Sequence, residues 1–225
     1  MEHGRPDVAI GKVLSATWAA ICRHPLPFSV ATIGLAALDA MYSAIFPGIN
    51  TIPLSFIADA GVFYIVVRYL LNENGLYDRR ANFGSYLIVS LLMWTGFLLG
   101  LVLFVIPGLY LLGRWSLSPA LVLARGMTAR KALEESWHVT SSCVGKLLLL
   151  YAVCLTCWMV VVVGSVMIAL VAENYGIAQS IESEPIFIVS LGVLVDSGVA
   201  ASAYLCATVY ERLIGNDRKT NAVFA

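Results

Sequence analysis

The sequence predicts an all-α fold, a polytopic transmembrane helical bundle of about six spans accompanied by two interfacial amphipathic helices. Three observations carry this. Of 225 residues, 60% are hydrophobic and only 12% charged, whereas a water-soluble domain carries roughly 25% charged residues. The apolar residues gather into runs close to the length needed to cross a hydrocarbon core about 30 Å thick at about 1.5 Å per residue. Lys and Arg, finally, occupy only alternate connections between those runs.

The first run, 25–46, begins at Pro25 and stops at Pro47-Gly48, and the second, 53–71, begins at Pro53 after a short turn. A polar loop at 72–82 follows. The apolar stretch 83–123 is about twice one span and is interrupted by Pro107-Gly108, which predicts a hairpin between span three (84–106) and span four (108–124). Span five is the uninterrupted stretch 147–172, and span six covers 186–210 beyond a polar loop.

Orientation follows from the excess of Lys and Arg that cytoplasmic loops and span ends hold. With both termini inside, thirteen of the fourteen Lys and Arg fall on the cytoplasmic side. The outer connections 47–53, 107–108 and 173–185 contain neither, and the last holds Glu173, Glu182 and Glu184. Met1 to Asp7 are polar and more spans follow the first, so the N-terminus reads as retained.

Two stretches are helical in period but too polar to span. In 128–140, Ala129, Ala132, Leu133, Ser136, Trp137 and Thr140 share one face, opposite Arg130, Lys131, Glu134, Glu135 and His138. In 8–24, Ile10, Val13, Leu14, Thr17 and Ile21 oppose Lys12, Ser15 and Arg23, with Trp18 near the interface. Both are expected on the cytoplasmic surface as connecting helices, the alternative being docking or membrane-remodelling helices. Each leads into a pair of spans, and Ala16-Thr17-Trp18 echoes Glu135-Ser136-Trp137, which fits a repeat of helix plus hairpin.

Four ionisable residues fall inside spans: Asp39, Asp59, Arg114 and Asp196. Each costs roughly 2.5–3.5 kcal/mol at mid-bilayer, so each needs a partner or water. Counted back from the outer span ends, Asp39 lies about 12 Å deep, Asp59 and Arg114 about 9 Å, and Asp196 about 15 Å. Arg114, the one cation, is therefore expected to form a salt-bridged cluster with the aspartates, linking spans one, two, four and six. Such a cluster either fixes helix register or, since three carboxylates outnumber one guanidinium, serves as a proton or cation site. The pairs Gly96/Gly100 and Gly198/Ser202 have the four-residue spacing of close helix approach.

Other chemistry is sparse. Net charge is zero, which argues against a nucleic-acid partner. His3, His24 and His138 are too scattered for a metal site or a catalytic base with its nucleophile. No phosphate-cradling glycine loop occurs, and no cofactor is expected. The five cysteines read as free, and Cys154/Cys157, though spaced CxxC, lie mid-span among apolar residues with nothing to complete a metal site. Ser141-Ser142-Cys143 reads as the junction between surface helix and span five rather than as a nucleophile cluster.

From Phe104 to Lys146 the sequence runs FVIPGLYLLGRWSLSPALVLARGMTARKALEESWHVTSSCVGK. Its Pro107-Gly108 turn with Tyr110, the Arg114-Trp115 pair, Pro119 before an apolar run, Ala132-Leu133, Ser136-Trp137 and Thr140 resemble a bacterial membrane family. That family comprises the YciC-like proteins and the membrane domain that precedes the catalytic domain in some glycerophosphodiester phosphodiesterases. A Glu usually follows the Pro119 run there, whereas Ala124 and Arg125 stand here, so a role resting on that acid is not carried over. The resemblance implies a multi-pass protein of the bacterial inner membrane and not an enzyme, since a phosphodiesterase barrel alone takes about 250 residues.

The function expected is that of a non-enzymatic accessory, scaffold or assembly partner, in a membrane complex or in envelope homeostasis, with membrane lipids and other inner-membrane proteins as partners. Two alternatives stand beside it: a small transporter using the Asp/Arg cluster, and a lipid-handling protein.

Overall fold

The computed structural model describes residues 9–46, 52–103, 105–174 and 185–215, and these form helices joined by short turns. In chain order they are α1 (Ile10–Arg23), α2 (Pro25–Ile45), α3 (Ile52–Glu73), α4 (Phe83–Leu103), α5 (Val105–Trp115), α6 (Ser118–Arg125), α7 (Ala129–Thr140), α8 (Val144–Asn174) and α9 (Pro185–Tyr210). A π-helical turn, Glu211–Gly215, extends α9.

Helices α2, α3, α4, α8 and α9 are each long and apolar enough to cross a membrane. Their bounds differ from the sequence expectation by a few residues at most. The connections 47–51 and 175–184, with Glu182 and Glu184, lie outside the described residues, as do His3, Arg5, Arg218 and Lys219.

The fourth expected span is not one helix. Residues 108–124 are divided between α5 and α6, with a turn at Ser116 and Leu117. Pro119 accounts for the break: its ring would clash with the carbonyl four residues earlier, which belongs to Trp115, the last residue of α5. In the first turn of α6, by contrast, Pro119 is well placed, because its missing N–H has no helical acceptor there. Pro107-Gly108 is likewise not the hairpin turn. The two residues sit in the first turn of α5.

Helix α6 is the centre of the packed end of the bundle. Ser118 through Ala124 are all buried, enclosed by α3, α4, α7 and α9. Gly126 ends it with φ 60°, the left-handed conformation that glycine adopts without strain. The Asp78 amide donates to the Leu123 carbonyl at 3.1 Å. The chain that leaves this end through α4 has therefore returned to it by the end of α6.

Helix α9 packs along α2 and also touches α1, α3, α6 and α8. Two close approaches set its position. A methyl on Gly192 would stand 3.0 Å from the Ala36 methyl of α2, and one on Gly198 would overlap the Trp158 indole of α8. Ser202, the expected companion of Gly198, is instead exposed and donates to the Val199 carbonyl. The Gly96/Gly100 pair does serve close approach. Gly96 faces the Trp115 ring, and Gly100 lies against the Gly108 backbone of α5.

Both amphipathic helices form. In α7, Ala132, Ser136 and Thr140 are buried along one face, and in α1 Val13 and Thr17 are. Their packing is not repeated, however. Helix α1 lies chiefly against α9, whereas α7 contacts α4, α5 and α6, so the echo between 16–18 and 135–137 is one of local pattern.

The α4–α5 contact gives a direct test. A Cβ at Gly100 would lie 2.5 Å from the Gly108 Cα and 2.7 Å from its nitrogen, backbone atoms that cannot swing aside. Gly100→Ala is expected to destabilise by about 1–3 kcal/mol in reversible detergent unfolding. Gly164→Ala, with nothing within 4 Å, is expected to be neutral or slightly stabilising. Equal stability of the two variants would contradict the contact.

Candidate functional site

The structure sets Arg114 apart from Asp39, Asp59 and Asp196. The Arg114 carbonyl and guanidinium are both occupied at the α5–α6 break. Because Pro119 ends α5, carbonyls of its last turn lose their helical donors. Side chains replace them: Ser116 Oγ donates to the Gly113 carbonyl at 2.9 Å, and Ser136 Oγ to the Arg114 carbonyl at 2.6 Å. Thr140 Oγ1 approaches the same Arg114 oxygen at 3.4 Å, and Cys206 Sγ lies 3.3 Å from the Ser116 carbonyl.

The guanidinium completes the lock. Its Nε donates to the Tyr110 hydroxyl at 3.1 Å and its Nη1 to the Trp137 carbonyl at 3.0 Å. It also lies over both rings, 4.5 Å from the Trp137 centroid and 5.3 Å from that of Tyr110. Tyr110, Arg114, Trp115, Pro119, Ser136, Trp137 and Thr140 thus have one shared role, which is to break a helix and hold both pieces to α7 and α4. Where a Glu was expected from the resemblance, Arg125 instead reaches Glu135 of α7 at 3.2 Å.

The expected ion pairs between Arg114 and the aspartates are accordingly not formed. Counting α5 and α6 as one straight span placed Arg114 in the outer half. In fact Ser116 meets Cys206, ten residues along α9 from Asp196, or about 15 Å. Gly113 lies beside Leu147 and Leu148 in the first turns of α8. Arg114 therefore joins the other Lys and Arg of the described residues at the α1/α7 end.

Asp39, Asp59 and Asp196 each stand fourteen residues from the end of α2, α3 and α9 that lies toward α1 and α7, but the helices are offset and the three are not level. The hydrogen bond with Ser55 sets Asp39 about one turn, roughly 6 Å, beyond Asp59 along α3, and the Gly192–Ala36 contact likewise leaves Asp196 inward of Asp39. Their charges act on one another: Asp196 feels Asp39 and Asp59, and Asp59 feels Asp39. Ser55 Oγ donates to Asp39 Oδ1 at 2.7 Å. Asp39 and Asp59 are half-buried, but Asp196 is only 5% exposed and its Oδ2 has no hydrogen-bond partner. That oxygen points toward the Gly192–Ala36 contact, 3.8 Å from where a Gly192 methyl would be.

Sequence reasoning missed Ser55, although it stands four residues before Asp59 and hence on the same helical face. It also missed the captors of the freed carbonyls, which only the break creates. The remaining candidates behave as ordinary structure. Cys143 is buried at the α7–α8 junction, and burial pushes its thiol pKa up despite a hydrogen bond with Ser142 and the nearby Lys146 and Arg114, which leaves it a poor nucleophile. All five cysteines are free thiols, Cys154 half-buried and Cys157 exposed. A shallow groove of about 230 Å³ lies beside the lock, lined by Trp115, Leu133, Glu134, Trp137 and His138.

No protein-family model, no curated protein and no solved structure matches the chain.

Separation of Arg114 from the aspartates predicts additivity. In detergent unfolding, Arg114→Gln and Asp59→Asn combined should differ from the sum of the single variants by no more than about 0.5 kcal/mol. A larger coupling would restore the ion pair. Arg114→Lys should itself be destabilising by about 1–3 kcal/mol, since an ammonium cannot serve the tyrosine hydroxyl, the carbonyl and both rings together.

Proposed function

We propose that this chain is a non-enzymatic, multi-pass protein of the bacterial inner membrane that binds and passes a small cation, the proton included, at Asp39, Asp59 and Asp196. Helices α5 and α6 together make one discontinuous crossing, which with the five long helices gives six and leaves both termini in the cytoplasm. One observation carries the reading: carboxylates on three neighbouring helices lie close enough to feel one another's charge, and Asp196 among them is buried with an oxygen that lacks a hydrogen-bond donor. A register-fixing salt bridge would need a cation there, and Arg114 is engaged elsewhere. Intramembrane carboxylates placed this way mark ion and proton pathways.

The broken helix supports the same class. Discontinuous helices recur in transporters, where freed backbone is tolerated because protein groups satisfy it. Here Ser116, Ser136 and Cys206 meet carbonyls at the break.

A second reading, lipid handling, draws on the groove beside Trp137, where the guanidinium of Arg114 stacks on the indole at the interfacial end. Tryptophan is favoured at that depth, where one edge is apolar and the other wet. An accessory or assembly role, with other inner-membrane proteins as partners, is the outcome if no ion moves and a partner co-purifies in mild detergent.

Ion passage is tested by reconstituting the purified protein in sealed vesicles and following interior pH, Na⁺ and K⁺ after each is stepped outside. The wild type should pass at least one of these ions, and Asp196→Asn should lose most of that flux. Vesicles as tight as protein-free controls to every ion would sink the proposal.

A further inference from the structure

Resting on the ion-handling reading above, we infer that the occupant of the carboxylate site is the proton and not a metal cation. The two kinds of occupant make different demands on geometry. A dehydrated metal cation takes about six or more oxygens converging on one point. A proton takes one oxygen at a time.

The site does not converge. Among the described residues no three Asp, Glu, His or Cys side chains come close enough to share a metal ion, and this includes Asp39, Asp59 and Asp196. Backbone carbonyls do not make up the number either. Cation sites between membrane helices draw carbonyls from unwound turns, yet α2, α3 and α9 run unbroken through Asp39, Asp59 and Asp196. The chain's discontinuous helix breaks at the other end, and the Gly113, Arg114 and Ser116 carbonyls are met there by side chains of Ser116, Ser136 and Cys206.

What the site does offer suits a proton. Asp196 Oδ2 is a buried oxygen without a hydrogen-bond donor, facing a contact between Gly192 and Ala36 with no room for a hydrated ion. Uptake forms an O–H bond at a carboxylate oxygen as one breaks in hydronium or in a neighbouring carboxylic acid. Release reverses this, with Asp39 and Asp59 as the neighbouring acceptors. The Ser55 hydroxyl, held on Asp39, keeps that carboxylate oriented.

Among the described residues the surroundings add no basic charge. From α2 the groups facing Asp196 are Asp39 and, from α3, Asp59. Helix α8 presents the Trp158 indole near Gly198, and between Lys146 and Glu173 its sequence has no Asp, Glu, Lys, Arg or His, its titratable groups there being Tyr151, Cys154 and Cys157. Helices α1 and α6 meet α9 at the opposite end, and their charges there are Lys12, Arg23 and Arg125.

The test uses the full-length protein in sealed vesicles carrying a pH dye, with choline as the only other cation and a potential set by an anion gradient. An outside acid step should acidify the interior of wild-type vesicles, and adding Na⁺, K⁺ or Mg²⁺ should not change the rate. Asp196→Asn should lose the acidification while Asp196→Glu retains it; Asp39→Asn provides a second loss variant if Asp196→Asn does not fold. A flux that requires Na⁺, K⁺ or Mg²⁺, or that carries one of them at fixed pH, overturns the proton assignment while leaving ion handling intact. Vesicles impermeable to every ion overturn both.

Discussion

The arrangement of this bundle depends on one covalent constraint, the absence of an N–H and the presence of a ring at Pro119. A straight helix through that position would drive the ring into the Trp115 carbonyl. The chain breaks there instead, and the break creates acceptors that other helices must satisfy. Ser136 and Thr140 supply donors from α7, Cys206 from α9 and Ser116 from the turn itself. Two separate elements, α7 and α9, are tied to one short segment by this. Helix α6, freed from the line of α5, becomes the buried centre around which α3, α4, α7 and α9 close.

The same break sorts the charges. With α5 ended at Trp115, Arg114 stands level with the first turns of α8 and can satisfy itself on Tyr110 and Trp137. Every Lys and Arg among the described residues then sits at one end, which removes the single exception to the charge asymmetry. The aspartates of α2, α3 and α9 lie farther from that end. Since burying a carboxylate oxygen without a donor is costly, the position of Asp196 beside two further carboxylates is the feature that most needs a functional account.

Much of the fold was legible in the sequence for simple reasons. The five long helices follow from runs of apolar residues bounded by Pro25, Pro47, Pro53, the polar loop 72–82 and Pro185, and both amphipathic helices follow from a 3.6-residue period. The spacing of Gly96 and Gly100 marked a close helix approach, and the structure supplies α5 as the partner. Arg114 was misplaced because depth was counted along an unbroken helix, although Ser116 and Pro119 carried the signal of a break. The three aspartates were recognised individually as costly residues. The offset of Asp39 from the other two, set by Ser55 and by the Gly192–Ala36 contact, and the separation of Arg114 from all three are tertiary facts that spacing along single helices does not encode.

The central claim is that the carboxylates of α2, α3 and α9 form a site that exchanges protons within the bundle. Infrared difference spectroscopy of the protein in lipid, recorded between two pH values, reads this directly through the carbonyl stretch of a protonated carboxyl group. A pH-induced carboxyl band that is lost in Asp196→Asn and unchanged by Na⁺ or Mg²⁺ is the result this account predicts. A spectrum in which no carboxyl band of Asp39, Asp59 or Asp196 responds to pH would contradict it.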